Sequence, residues 1–345
     1  MKKFILAIVL CTLLSACSSN NVLPENKPDI TENRTQIPEI KVSDYFAYAK
    51  DVHMIYKGTG NEYAPYDTYI DYLKDGVVQV RSLNGGTISV IVYKLEDNAV
   101  KKVFSQGETY FKYDYTSSSN QNEIMIKEPI QAGTSWTLDD GASRSITSVD
   151  KQIKTPAGDY MALEITTKRT DSTIRDYYVK NIGLVKSEFS SGNNDVSVTS
   201  ELEKIENGVP YKHNVSFYFP EFSKDRVVNI DRNVEIFTNE DMKFKFQKEL
   251  KTIPENSGLS KVLSTNTSVL GSIIDDKNGW VTVDFSAQFV KEMNAGTSFE
   301  SMLLKSITNT FGKYYQKDKV VITIEGKLYE SGHIMLKQGE YFKVE

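Results

Sequence analysis

The feature that most restricts this chain is a long series of short β-forming stretches across residues 41–205, each closed by turn chemistry. The stretches fall at 52–56, 66–73, 77–80, 87–94, 100–104, 110–115, 124–126, 146–153, 160–166, 174–179, 184–189 and 196–202, rich in Val, Ile, Thr and Tyr. Between them stand Asp75-Gly76, Asn84-Gly85-Gly86, Asp97-Asn98, Pro156-Ala157-Gly158 and Ser191-Gly192-Asn193. β-branched and aromatic residues fit a pleated surface, and such turns reverse the chain between antiparallel neighbours. The pattern predicts a mainly β region folded as an antiparallel meander, either a curved sheet or a half-barrel. Only 42–49 reads as a short helix.

The amino terminus is of another kind. Lys2 and Lys3 precede an apolar run from Phe4 to Leu14. As a helix that run rises about 16 Å, against about 30 Å of hydrocarbon, so it is too short to span and reads as the core of a secretory signal over 1–16. It ends in Leu14-Ser15-Ala16-Cys17, which resembles the bacterial lipobox. The resemblance implies cleavage before Cys17 and a diacylglyceryl group, with palmitate-type chains, on its sulfur. Two acyl chains hold a protein stably where one does not. Cys11 lies in the removed segment, leaving Cys17 as the one mature cysteine, so no disulfide framework is expected. Residues 17–40 are polar, interrupted by Pro24, Pro28 and Pro38, and read as a tether.

Beyond Lys204–Pro210, read as a linker, the pattern becomes mixed α and β over 211–345. Residues 213–219 alternate as a strand ending at Pro220, 226–237 are extended, and Asn239-Glu240-Asp241 introduces a helix over 242–253. Strands at 269–274 and 280–285 flank Asp275-Asp276-Lys277-Asn278-Gly279, a hairpin signal, with Val281, Val283 and Phe285 on the core face. Thr297 and Glu300 have capping-box spacing. Phe299, Leu303, Ile307, Thr310, Phe311 and Tyr314 then recur at helical steps, placing one face against a sheet. A buried strand at 320–324 turns at Glu325-Gly326-Lys327.

Four segments in this order carry a family resemblance: Ser216-Phe217-Tyr218-Phe219-Pro220, Gly279-Trp280-Val281-Thr282-Val283-Asp284-Phe285-Ser286, Leu304-Lys305-Ser306-Ile307-Thr308-Asn309-Thr310-Phe311, and Val321-Ile322-Thr323-Ile324-Glu325-Gly326-Lys327. Together they resemble the GerMN domain of sporulation and spore-germination proteins. The resemblance implies an α+β C-terminal domain without catalytic function that docks on envelope or sporulation proteins. Two departures are visible: Thr265-Asn266-Thr267-Ser268 stands where the family often has a Pro-Gly-Thr approach, and the other half of the chain is unlike a second GerMN copy. A weaker likeness, to the half-barrels of bacterial lipoproteins, rests on 129–136, 155–160 and 177–186.

The residues offer little for catalysis. Removing Lys2 and Lys3 takes the formal charge from −5 to −7, and no dense basic block supports a nucleic-acid partner. His53, His213 and His333 are far apart and lack metal-ligand spacing. Asp139-Asp140 and Asp275-Asp276 are adjacent acids in turns, and strand neighbours point to opposite faces. Asp284 or Ser286 reads as a cap for the following short helix. No catalytic residue, cofactor or metal is therefore expected; the single modification site is Cys17. The expected role is a membrane-anchored scaffold, docking through the exposed side of the 298–315 helix and the 275–279 hairpin. The alternative is a carrier of lipid or another apolar ligand, which requires a continuous apolar cavity in the β-rich region.

Overall fold

Alternating side chains and glycine or asparagine turns direct the backbone from Val52 onward in the computed structural model, which describes residues 40–345. The signal segment, Cys17 and the tether up to residue 39 lie outside the described residues. A 3₁₀ turn at Val42–Tyr45 stands where the short helix is expected. Twelve strands follow: β1 Val52–Thr59, β2 Tyr66–Lys74, β3 Val77–Asn84, β4 Ile88–Glu96, β5 Ala99–Gln106, β6 Glu123–Lys127, β7 Ser135–Thr137, β8 Ser143–Thr155, β9 Gly158–Lys168, β10 Ser172–Val179, β11 Gly183–Ser191 and β12 Ser197–Asn207. They form one antiparallel sheet in the order 6-5-4-3-2-1-12-11-10-9-8-7. Two six-stranded meanders are thus joined through the pairing of β1 with β12.

Turn chemistry sets the register. Lys74 pairs with Val77 around Asp75-Gly76, where Gly76 has φ +64°, and Glu96 pairs with Ala99 around Asp97-Asn98, both with φ above +50°. Two-residue loops with positive φ match strand twist. The sheet curls until its edges meet through side chains: Trp136 Nε1 on β7 donates to Ile124 O on β6 at 3.0 Å, and Arg144 on β8 donates to the same carbonyl at 2.7 Å. Ile126, Trp136, Ile146, Leu163 and Ile165 pack together across that seam.

The stretch 110–115 is not a strand. Its polar backbone groups are taken by side chains on β3. Arg81 donates to Thr109 O and Phe111 O, while Gln79 donates to Tyr113 O and accepts from Tyr115 N–H. The backbone is satisfied without a sheet partner, so β propensity does not decide its conformation. β7 supplies the twelfth strand instead.

The C-terminal region contains β13 Tyr211–Glu221, β14 Arg226–Ile236, α1 Met242–Leu250, β15 Val269–Asp275, β16 Trp280–Phe285, α2 Gln288–Lys291, α3 Thr297–Tyr314, β17 Lys319–Ile324, β18 Lys327–Leu328 and β19 Phe342–Lys343. β13 and β14 form a two-stranded ribbon, while β15 to β18 form an ordered sheet in which β16 and β17 run parallel and β19 adds to β17. This is the expected α+β region. Val281, Val283 and Phe285 are fully buried, as are Phe217, Phe219, Phe246 and Phe311. Burying each such ring contributes about 1.5–3 kcal/mol.

Two local expectations fail. Thr297 is the first helical residue of α3 rather than its cap; Gly296 occupies the cap position without a side-chain bond. The Glu300 carboxylate turns into the core, where it accepts from the Tyr329 hydroxyl at 2.7 Å and from Ser331 Oγ. Two hydroxyl donors there leave no reason for the carboxylate to reach back along its own helix. Likewise neither Asp284 nor Ser286 caps α2, whose cap position is Ala287 without a side-chain bond; Ser286 Oγ accepts from Ser268 N–H instead. Asp284 Oδ1 accepts from Thr323 Oγ1 at 2.7 Å and Gly326 N–H at 2.9 Å, fixing the turn between β17 and β18.

Candidate functional site

The core is continuous from the twelve-stranded sheet into the C-terminal region: Val90, Val92, Phe104, Phe111 and Tyr115 pack in one cluster with Tyr211, Phe246, Phe311 and Tyr315. At this junction β2 and β3 carry a polar face. Arg81 and Asp71 are both buried and form a two-pronged pair, Nε to Oδ1 at 3.1 Å and Nη2 to Oδ2 at 2.8 Å. Burial lowers the Arg81 pKa, but the charge and hydrogen bonds of Asp71, with Tyr211 and Tyr314, together raise it by more, so the guanidinium stays charged. Gln79 donates to Asp71 Oδ2 and completes the network.

The segment after β14 is stitched onto β2. Asn239, in the left-handed region at φ +64°, accepts from Leu73 N–H at 2.8 Å and donates to Leu73 O at 2.9 Å, imitating a strand neighbour. Thr238 exchanges bonds with Asp51 and donates to Ile70 O. Lys112 closes the joint from the other side. Its N–H donates to the Tyr314 hydroxyl at 2.9 Å, and its Nζ donates to Phe237 O at 2.8 Å while lying 4.7 Å from the Tyr72 ring centroid.

Beside this joint lies an open cleft of about 520 Å³, its walls including Lys74, Lys112, Asp114, Asp241, Gly271 and Ser272. Its carboxylates are engaged. Asp114 accepts from Lys74 Nζ at 2.8 Å and from Thr116; burial works against its charge, but these bonds outweigh it and hold its pKa below the usual range. Asp241 caps α1 by accepting from Lys243 N–H at 2.9 Å. Lys112 has no carboxylate within ion-pair distance among the described residues. Burial pushes its pKa down to about 8; Arg81 pushes the same way, and Asp71, Glu240 and Asp241 oppose them.

The residues singled out in the sequence are not brought together here. His53 stacks on Tyr69 with Nδ1 2.9 Å from Glu206 and Nε2 3.2 Å from Asp67, the latter out of hydrogen-bond line. Those carboxylates face opposite ring nitrogens and cannot converge on one ion. His213 lies beside the Tyr211 hydroxyl, and burial, then Arg81, lowers its pKa to about 4. His333 is exposed near Ser331. Asp140 binds Arg169, Asp275 binds Asn278 and Asp276 binds Lys317, all local or surface contacts. Among the described residues no group of His, Cys, Asp or Glu is arranged to hold a metal ion. Lys112, Arg81, Asp71 and Gln79 went unnoticed in the sequence. The one available signal was polar residues recurring on a face of strands that otherwise read as core.

The proposed docking face needs correction too. α3 packs against both C-terminal sheets, and Tyr218 N–H donates to Thr310 while Glu345 N–H donates to Asn309. Only Thr297, Ser298, Ser301, Lys305 and Lys313 of this helix are exposed. α3 is thus mostly a core element, with exposure limited to a stripe at Ser298, Ser301 and Lys305 and to Lys313, whereas residues 276–278 of the hairpin are exposed.

Comparison with known proteins places the C-terminal region. Residues 216–330 match the family described as Germane: sporulation and spore germination. The four segments read from the sequence fall within or across that span. The tandem GerMN domains of the sporulation protein GerM from Bacillus subtilis are similar at 20% identity and TM-score 0.30, over 38% of this chain and 46% of that one. Two proteins described as "putative lipoprotein" are also similar. The one from Parabacteroides distasonis has 16% identity and TM-score 0.31 over 47% of this chain and 98% of its own. The one from Clostridium perfringens has 18% identity and TM-score 0.26 over 38% and 87%. No curated protein sequence gives a significant match.

Proposed function

We propose that this protein is a lipoprotein anchored through Cys17 on the outer side of a bacterial membrane, where it acts as a non-enzymatic docking module in sporulation, germination or envelope assembly. The observation that carries this reading is the Germane match over 216–330, in a chain whose first residues resemble a lipoprotein signal. No helix among the described residues is long and apolar enough to cross a membrane, which suits an anchor made by lipid. The shared core and the Asn239 and Thr238 stitches join the two regions in one compact unit, so a partner bound to either is held close to the other.

The carrier reading finds no support in the sheet. Its seam carries charge, with Glu123 paired to both Arg144 and Lys102, and the nearby Asp176 accepts from Ser187 at 2.7 Å. Such groups suit an apolar passenger poorly. The test is crosslinking and capture from sporulating and vegetative cells with Cys17 intact and as Cys17→Ser. The reading expects membrane fractionation and a specific crosslinked protein partner for the native chain, and release from the membrane fraction for the variant. An unchanged membrane fraction for Cys17→Ser, or no specific partner in either growth state, would overturn it.

A further inference from the structure

The junction cleft opens beside an unfinished sheet. β15 is an edge strand, paired only with β16. At its start the edge is covered: Gln247 accepts from Val269 N–H, and Lys243 approaches Leu270 O. From Gly271 to Ile274 no described residue outside β16 bonds to the backbone. Alternate residues of an antiparallel edge turn their N–H and C=O groups outward, and here they do so at the cleft whose walls include Gly271 and Ser272. Gly271 has no atom within 4 Å of where a Cβ would stand, so the sheet face beside that edge is open. Leu270 and Ile273, exposed at 42% and 65%, flank it.

We propose that this cleft receives an extended acidic peptide segment of a partner protein, which adds a strand to the free edge of β15 and sets a carboxylate against Lys112. The proposal rests on the docking reading and names its surface. Charge complementarity selects the ligand. Of the four charged walls, Asp114 pairs with Lys74 at 2.8 Å and Asp241 with Lys243 at 3.5 Å, which leaves the largely buried Lys112 as the wall charge with no ion-pair partner among the described residues. Main-chain bonds supply affinity in this mode of recognition, and side-chain pockets supply specificity. A bound carboxylate also restores to Lys112 the favourable charge interaction that burial denies it. Its neighbours of either sign, Asp71 on β2, Arg81 on β3, and Glu240 and Asp241 before α1, remain fixed, so the acid preference should fade as pH rises above about 8.

The test uses the full-length lipidated protein in detergent micelles and a display library of random seven-residue peptides. Enrichment of Asp or Glu at one position between β-forming residues is expected. The enriched peptide should bind at least tenfold more tightly at pH 7 than its amide counterpart, with Glu replaced by Gln. Lys112→Met should abolish that preference. Because Lys112 also bonds to Phe237, a second pair of variants avoids the joint: Ser117 is exposed on the cleft wall, and Ser117→Asp should weaken acid binding about tenfold while Ser117→Lys strengthens it. No acid enrichment, a preference unchanged in a folded Lys112→Met protein, or equal affinity for the two Ser117 variants would overturn the proposal. If the cellular partner is still captured by Ser117→Asp, the docking reading stands and this surface falls. If the native chain captures no partner yet the acid preference is present, the surface stands and the docking reading falls.

Discussion

Asp71→Asn tests the joint at its most sensitive point. The substitution keeps the shape of the side chain but removes the charge opposite Arg81, whose side chain is 0% exposed beside an Asp71 that is 2% exposed. Removing one partner of a buried ion pair costs about 3–5 kcal/mol, because the other charge is left uncompensated. Arg81 retains Thr109 O at 2.8 Å and Phe111 O at 2.7 Å, so the lower end, about 3 kcal/mol, is expected. A domain of 150–250 residues loses roughly 2–4 °C of Tm per kcal/mol. At the low end of that range the melting point should fall by roughly 6 °C. Scanning calorimetry measures the fall, and hydrogen exchange should show the Tyr115 amide, held by Gln79, losing protection before the strands do. A double variant, Asp71→Leu with Arg81→Met, removes both charges and should recover most of the loss. A Tm within 2 °C of native for Asp71→Asn, or a double variant no better than the single, would refute the assignment of Arg81 as a compensated buried charge.

Other consequences are quicker to check. His213 has its pKa lowered from 6.5 to about 4, so the unfolded chain binds more protons between those values. Its stabilising effect is complete above pH 6.5 and is lost as pH falls to 4, a change of about 3 kcal/mol; urea melts should show that slope, flattened in His213→Phe. Lys112 behaves in the same sense higher up: stability should rise between about pH 8 and 10.5, and Lys112→Met should remove that rise. Glu300→Ala leaves the Tyr329 and Ser331 hydroxyls without their acceptor and should cost about 2–4 kcal/mol, whereas Thr297→Ala should cost less than about 0.5 kcal/mol because Thr297 caps nothing. Equal losses from the two variants in chemical denaturation would restore the capping box.

The strands were legible where local chemistry and tertiary packing agree. Asp75-Gly76 and Asp97-Asn98 mark two-residue turns whatever surrounds them, and Val281, Val283 and Phe285 alternate because β16 is buried on one side. Reading failed where a distant group supplied the hydrogen bonds. Residues 110–115 look like a strand, but Arg81 and Gln79 take their backbone groups. Thr297 and Glu300 have the spacing of a capping box, but Tyr329 and Ser331 draw the carboxylate into the core. The helix at 242–253 was placed correctly at its start, where Asp241 caps it, and ends three residues early because Leu250 already delivers its carbonyl to Val262 and Leu263.

The sequence by itself determined the mainly β meander, the α+β region with its Germane-type segments, and the expectation of a lipid anchor at Cys17. These depend on period, turn residues and short motifs, all local properties of the chain. Tertiary structure alone decided that α3 is a core helix, that the two regions share one core, and that a cleft with an unpaired Lys112 opens beside the free edge of β15. Each of those turns on which groups distant in the chain meet, and on which of them lose water when they do. Lys112 is one lysine among many in the sequence, and only the fold sets it against Phe237 and Tyr314 with no carboxylate within ion-pair distance among the described residues.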